Sequence, residues 1–528
     1  MRTRKIELGS MSDLNPKVMS NQIIDLYNSL LEESKELTVL MSAGSVLGWD
    51  MQTKMPPRGL ELRSQQLAML QKIGHQMLTS PELGKILESI EKHGDYENLT
   101  EVQKRNVYLA RMMYDEATKL PERLVVEMAK QRTIGRGVWR KAKATNDWKL
   151  FEPELEKIKA LTDESANLLM EVKDATNPYD ALIYDYEPKM KAKTITKVFD
   201  EMRRGIKKLL DKIMAQPKPD TSFLSREIPV DVQEKVAESL AEFALYDTKS
   251  ENAGGRIDST EHPFTTGYYT DVRITTKYFI NNFQKGIFSV LHEAGHALYN
   301  MGLPQEWMYQ PVGAGASSGI HESMSRFVEN HVGRSREFWD FYMPELKRLT
   351  GKRLSDVSSD QIYAAVNYVT PSKIRTQSDE LTYGMHIIIR FELERDMFNG
   401  DLEVSELPQA WGQKYMDYLG VEIETDTEGV MQDTHWSGGA FGYFPSYALG
   451  NIYDGVWRAK IEKDIPDWTQ RVRDGSFVEI KDWLTENVYR YGKLYDPEEL
   501  VKHVTGRGLV VKPFIDYLEA KYKAIYGY

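Results

Sequence analysis

Apolar side chains recur at mostly helical spacing along the greater part of this chain. Between residues 21 and 77, Ile24, Leu26, Leu30, Leu31 and Leu37 mark one stripe, and the run is broken only at Met55-Pro56-Pro57-Arg58-Gly59. Long amphipathic segments rich in Glu, Lys, Leu and Ala follow at 99–120, 122–145 and 154–172, which predicts an antiparallel helical layer. Asn177-Pro178-Tyr179 and residues 217–229 interrupt it, and a helix is expected over 230–246. At 262–279 the helical stripe disappears. That stretch is dense in Thr, Tyr and β-branched residues and predicts a short antiparallel hairpin forming one wall of a cleft. Whether its edge takes an extended peptide or only covers the core is open at this point.

Helical patterning resumes at 290–300. After a loop at 304–319, further helices are expected over 320–332, from Pro371 through an apolar run at 383–391, and across 457–528. Between the last two lies a loop, 429–447, rich in Gly and aromatic residues. It suits an active-site rim better than a structural element. The expected fold is therefore mainly α: a large helical body with a deep cleft and a small antiparallel sheet. No Pro/Gly/Ser-rich linker divides it, so 11–528 reads as a single domain, with a helical layer at 11–250, a core at 251–455 and closing helices at 456–528. Gly9-Ser10-Met11 resembles a cloning scar before a native start, and residues 1–10 are left out of the fold reading.

Composition narrows the chemistry. With 68 basic and 79 acidic residues the net charge is −11, and no basic block occurs, which argues against nucleic acid and anionic membranes as partners. Without a signal-like N-terminus or an 18-residue apolar run, a cytoplasmic protein is expected. There is no cysteine, so thiolate nucleophiles and Cys-ligated zinc are excluded, and any metal must sit on His, Asp or Glu.

One stretch meets that requirement. His292-Glu293-Ala294-Gly295-His296 sits in an apolar, helix-compatible frame, and residues four apart share a helix face. His292 and His296 can thus aim two imidazoles at one cation, with Glu293 offset toward the water the cation would activate. In a chain with 10 His, a chance match is expected only about 0.02 times. Gly295 is the local misfit, since glycine inside a helix costs about 1 kcal/mol against alanine. It reads as room for close approach of another backbone or of substrate. A catalytic zinc usually takes a third protein ligand. Glu322, early on the next helix, is the choice, with Glu306, Glu329 and Glu337 as rivals; Glu329 also suits orienting a ligand imidazole. His321 is expected to line the cleft. Arg375 and Asp379, four apart, are either a surface ion pair or a rigid fork for a substrate carboxylate.

These motifs, taken in order, resemble the carboxypeptidase Taq family of metallocarboxypeptidases from about Leu37 to the end. The likeness is carried by His262-Pro263-Phe264, Asp271-Val272-Arg273-Ile274-Thr275, the His292 to His296 motif, His321-Glu322-Ser323, Ile374-Arg375 with Ser378-Asp379, and Gly429 with Gln432-Asp433 and His435-Trp436. Met324 departs from it, standing where Gln is expected. The resemblance implies a zinc enzyme, with cobalt as a possible substitute, that removes C-terminal residues one at a time with broad tolerance and works as a homodimer. It also implies that Arg375 holds the substrate's free carboxylate, that His435 lies near the scissile carbonyl, and that Tyr443 or Tyr447 is a second donor. His262 and Arg273 are counted with the substrate-binding residues. The competing expectation is a zinc endo-oligopeptidase using the same ligands.

Overall fold

In the computed structural model, which describes residues 20–528, the first predicted stripe is two helices, Asn21–Thr53 and Leu60–Leu78. Pro56 and Pro57 separate them because proline has no amide hydrogen for the helical ladder. The proposed scar at residues 1–10 lies outside the described residues. Pro81–Glu91, Glu101–Lys119, Glu122–Thr145, Trp148–Leu169, the short Pro178–Tyr184, Ala192–Met214 and Val230–Phe243 are the other α-helices of the N-terminal half among the described residues. Buried side chains fall into two clusters. A small one joins Ile23, Leu30, Leu83, Leu87, Ile90 and Val107, and a large one runs from Ala142 to Tyr526. At the centre of the large cluster is the histidine helix, Phe283–Met301, nearly all of whose apolar side chains are buried.

A three-stranded sheet lies against that helix. Its strands are β1 (Gly255–Ser259), β2 (Thr265–Tyr268) and β3 (Asp271–Thr276), ordered β1-β3-β2. The expected hairpin is β2 with β3, antiparallel, pairing Thr265 with Ile274. The expectation of a purely antiparallel sheet is overturned by β1, which runs parallel to β3 with Gly255 opposite Val272. This strand offers one Ile among Gly, Arg, Asp and Ser, so it has no alternation to read, and its partner arrives only after β2 has intervened. The Tyr246 phenol joins the two strands, donating to the Val272 carbonyl at 2.6 Å and accepting from the Arg256 amide at 2.9 Å.

Three further expectations change. Residues 371–379 are not helical: Arg375–Gln377 form a single 3-10 turn, and the helix Glu380–Asn399 begins where the Asp379 side chain accepts from the Thr382 amide. The expected helix over 320–332 is α-helical only over Ser318–Arg326, the carboxylate helix, and continues as a π-helical segment, Phe327–Gly333. The rim loop ends at Tyr443, so Tyr447 lies on the helix Phe444–Asp464, which brings helical structure in before residue 457.

Candidate metal centre and active site

His292 and His296 face one side of the histidine helix, and the carboxylate helix packs across it. That crossing answers the question posed by Gly295. A Cβ there would lie 2.5 Å from the Met324 carbonyl oxygen and 2.6 Å from Ser325 Cα, so only glycine admits the second backbone. On its opposite side the carboxylate helix meets Phe444–Asp464, where a Cβ on Gly450 would lie 2.7 Å from Glu322 Cγ. Held between two glycines, Glu322 places Oε2 3.7 Å from His292 Nε2 and 3.3 Å from His296 Nε2. One ligand atom from each of the three residues lies within 4.8 Å of the others.

The remaining atoms of these side chains are already engaged. His292 Nδ1 lies 2.9 Å from Glu329 Oε2. His296 Nδ1 lies 2.5 Å from His321 Nδ1, and His321 Nε2 lies 2.8 Å from Asn300 Oδ1. Burial, then the neighbouring His296, pushes His321 down to about 3 and keeps it neutral. A neutral ring donates from one nitrogen and accepts on the other. His321 therefore donates to Asn300 and accepts from His296, which leaves the His296 Nε2 lone pair for a cation. His321 thus orients the His296 imidazole, a tighter role than lining the cleft. Glu322 accepts from Arg326 Nε at 2.7 Å through Oε1. Burial alone would raise its carboxyl, but the Arg326 guanidinium and the two imidazoles outweigh that and hold it well below the usual carboxylate range. Two imidazoles and one ionised carboxylate, each fixed by an outer partner, form a donor set that suits zinc or a similar divalent ion.

Glu293, 6 % exposed, is adjacent. Its Oε2 accepts from Thr265 Oγ1 at 2.6 Å. Arg375 is 8 % exposed and is not paired with Asp379. Its Nε and Nη2 reach Asp433 Oδ1 at 3.0 and 2.8 Å, while Arg390 takes Asp433 Oδ2 at 2.6 Å. The Nη1 edge of Arg375 touches the Tyr383 hydroxyl at 3.4 Å, and the Arg326 guanidinium stacks on the Tyr383 ring at 4.3 Å. Tyr383 thereby links the Arg375 fork to the residue that holds Glu322. His435 Nε2 lies 3.5 Å from the Tyr447 hydroxyl, its ring stacks on Tyr443, and burial pushes it down to about 4. Tyr447 also lies under the Arg375 guanidinium at 5.2 Å.

His262 and Arg273 are not drawn into this cluster. His262 is exposed in the β1–β2 connection. Arg273 forms a two-pronged pair with Asp271 at 2.7 and 2.8 Å and stacks on Trp49 at 4.5 Å. Met324 is fully buried beside Gly295. Thr265, Arg326, Tyr383 and Asp433 were not singled out from sequence for these contacts. The 58 positions that separate Arg375 from Asp433 carry no periodic signal that would join them.

A His-Glu-x-x-His helix with a carboxylate from the next helix, set in a mainly helical body, defines a metallopeptidase. Comparison with known proteins identifies which kind. The carboxypeptidase Taq (M32) metallopeptidase family matches residues 29–522. Thermostable carboxypeptidase 1 of Thermus thermophilus is 41% identical over 95% of this chain and 99% of its own length, and carboxypeptidase 1 of Bacillus subtilis is 36% identical over 93% and 97%. The crystal structure of the M32 carboxypeptidase from Deinococcus radiodurans superposes with a TM-score of 0.91, at 35% identity over 96% of this chain and 100% of that one. The chain belongs to the carboxypeptidase Taq (M32) family and is a metallocarboxypeptidase.

Proposed function

We propose that His292, His296 and Glu322 hold a zinc ion, replaceable by cobalt, and that the enzyme releases single residues from the free C-terminus of peptides with broad side-chain tolerance. The observation that carries this reading is the convergence of the three donors within 4.8 Å, beside Glu293 and with the Arg375 fork linked through Tyr383. A bound divalent cation supplies a Lewis acid that polarises the scissile carbonyl and acidifies water. Glu293 takes a proton from the attacking water and delivers it to the leaving amine. His435 and Tyr447 donate to the carbonyl oxygen as charge develops, a contribution of about 3–4 kcal/mol where single donors have been removed from other enzymes. Asp433 occupies the Nε and Nη2 side of Arg375, so the substrate's terminal carboxylate is to approach the Nη1 side, next to the Tyr383 hydroxyl. A carboxylate at that position exists only at a chain end.

Metal stoichiometry separates the roles. Glu322→Ala is expected to lose most bound zinc, whereas Glu293→Gln keeps its metal and loses turnover. Full zinc in Glu322→Ala would move the third ligand elsewhere, and metal loss in Glu293→Gln would remove the general-base assignment. A cytoplasmic homodimer belongs to the same proposal. It is supported by the family resemblance and is checked by sedimentation.

A further inference from the structure

The motifs His262-Pro263-Phe264 and Asp271 to Thr275 contribute no ligand to the metal centre, yet the segments that carry them end in a contact with the general base. Thr265, the first residue of β2, directs its hydroxyl at Glu293 twice: Oγ1 lies 2.6 Å from Oε2 and 3.0 Å from the Glu293 main-chain oxygen. Both partners are acceptors, so the single hydroxyl proton is shared between them and the threonine is the donor. Glu293 Oε1 has no hydrogen-bond partner among the described residues. The two carboxylate oxygens are therefore unequal: one is anchored to the sheet and the other is available.

The anchor is itself fixed. Thr275, fully buried on β3, accepts from the Phe264 amide through Oγ1 at 2.8 Å and donates to the Phe264 carbonyl at 3.0 Å. The Thr275 amide donates to the same carbonyl at 2.9 Å. These bonds saturate the residue just before Thr265 and set its register opposite Ile274. A glutamate side chain has three rotatable torsions and, left alone, samples several positions. Here the strand removes that freedom at the outer oxygen.

We propose that Thr265 is the positioning residue of the general base: its hydroxyl holds Glu293 Oε2 so that Oε1 is the oxygen presented to the attacking water, with Thr275 fixing the strand behind it. This rests on the reading of Glu293 as proton acceptor. The proton balance is simple. The water O–H breaks as O–H forms on Oε1, the same proton later passes to the leaving amine nitrogen, and Thr265 keeps its own proton throughout.

The test compares Thr265→Val, which keeps the shape and removes the hydroxyl, with Thr265→Ser, which keeps the hydroxyl; Thr265→Ala is the substitute if the valine variant does not fold. Loss of alignment in a base is worth up to ~100-fold. Thr265→Val is expected to lower kcat by ~10–100-fold, with KM and zinc content within about twofold of the parent, and Thr265→Ser to recover most of the rate. An unchanged kcat in Thr265→Val, equal losses in Val and Ser, or loss of zinc in step with activity would each overturn the inference. Glu293→Gln is assayed alongside. If it stays active, the base reading fails first. If it is inactive while Thr265→Val is unimpaired, only the positioning role fails.

Discussion

Buried carboxylates in this enzyme follow opposite rules according to their neighbours. Glu322 and Asp433 are both held well below the usual carboxylate range because arginines outweigh the effect of burial. Glu187 is fully buried with no cation against it, and burial pushes it up to about 7 even though it accepts from the Gly319 amide and, at 3.2 Å, from the Tyr453 hydroxyl. It sits under the first turn of the carboxylate helix. Its folded value lies above the ordinary glutamate value of about 4.5, so the fold favours the protonated form. The group therefore adds nothing unfavourable below about 4.5, and its cost grows as pH rises toward 7, reaching roughly 3 kcal/mol. Glu187→Gln, which still offers an acceptor to Gly319, is expected to gain stability relative to the parent between pH 5 and 8. Denaturant unfolding of the two proteins across that range checks this, and parallel curves would contradict it.

At the scale of elements, the centre depends on how closely the carboxylate helix approaches its two neighbours. Replacing Gly295 by alanine gains about 1 kcal/mol of intrinsic helix propensity. It also sets a Cβ 2.5 Å from a backbone oxygen, and overpacking of that kind costs about 1–3 kcal/mol because a whole helix must shift. The clash wins. Gly295→Ala is predicted to melt earlier and to bind zinc more weakly, since the displaced helix carries Glu322 and continues into the π segment bearing Glu329. Zinc titration together with a melting curve decides, and a more stable variant with undiminished affinity would contradict the close-approach argument. The same helices show what could be read in advance. His292 and His296 were legible because a four-residue spacing fixes their geometry locally, and most long helices were legible from their stripes. The start of the Glu380–Asn399 helix was not: Asp379 looked like a helical partner of Arg375, when its side chain caps the helix and Arg375 turns to Asp433. Strand β1 and the π segment were equally hidden, because parallel pairing and a change from α to π hydrogen bonding depend on distant packing. The fully buried His331 brings Nε2 within 3.0 Å of Asp454 Oδ1, a close approach between the π segment and Phe444–Asp464 across 123 positions of sequence (454 − 331).

The whole molecule gathers its chemistry from four separated regions onto one histidine helix. The sheet brings Thr265, the carboxylate helix brings Glu322, the turn at Arg375–Gln377 brings the guanidinium, and the loop before Phe444–Asp464 brings Asp433 and His435. None of the four regions contains the site alone. The proposed function makes a demand on the substrate: its scissile carbonyl is to meet the His292, His296 and Glu322 cluster while its terminal carboxylate meets Arg375. Mass spectrometry of one unblocked peptide and its C-terminally amidated twin, digested by the parent and by Arg375→Ala with and without chelator, tests that demand directly. The parent is expected to produce a ladder from the C-terminus of the unblocked peptide, to cleave the amide poorly, and to stop with chelator. In Arg375→Ala the ladder collapses while the slow reaction on the amide barely changes. Internal fragments, or equal losses on both peptides, would contradict the account.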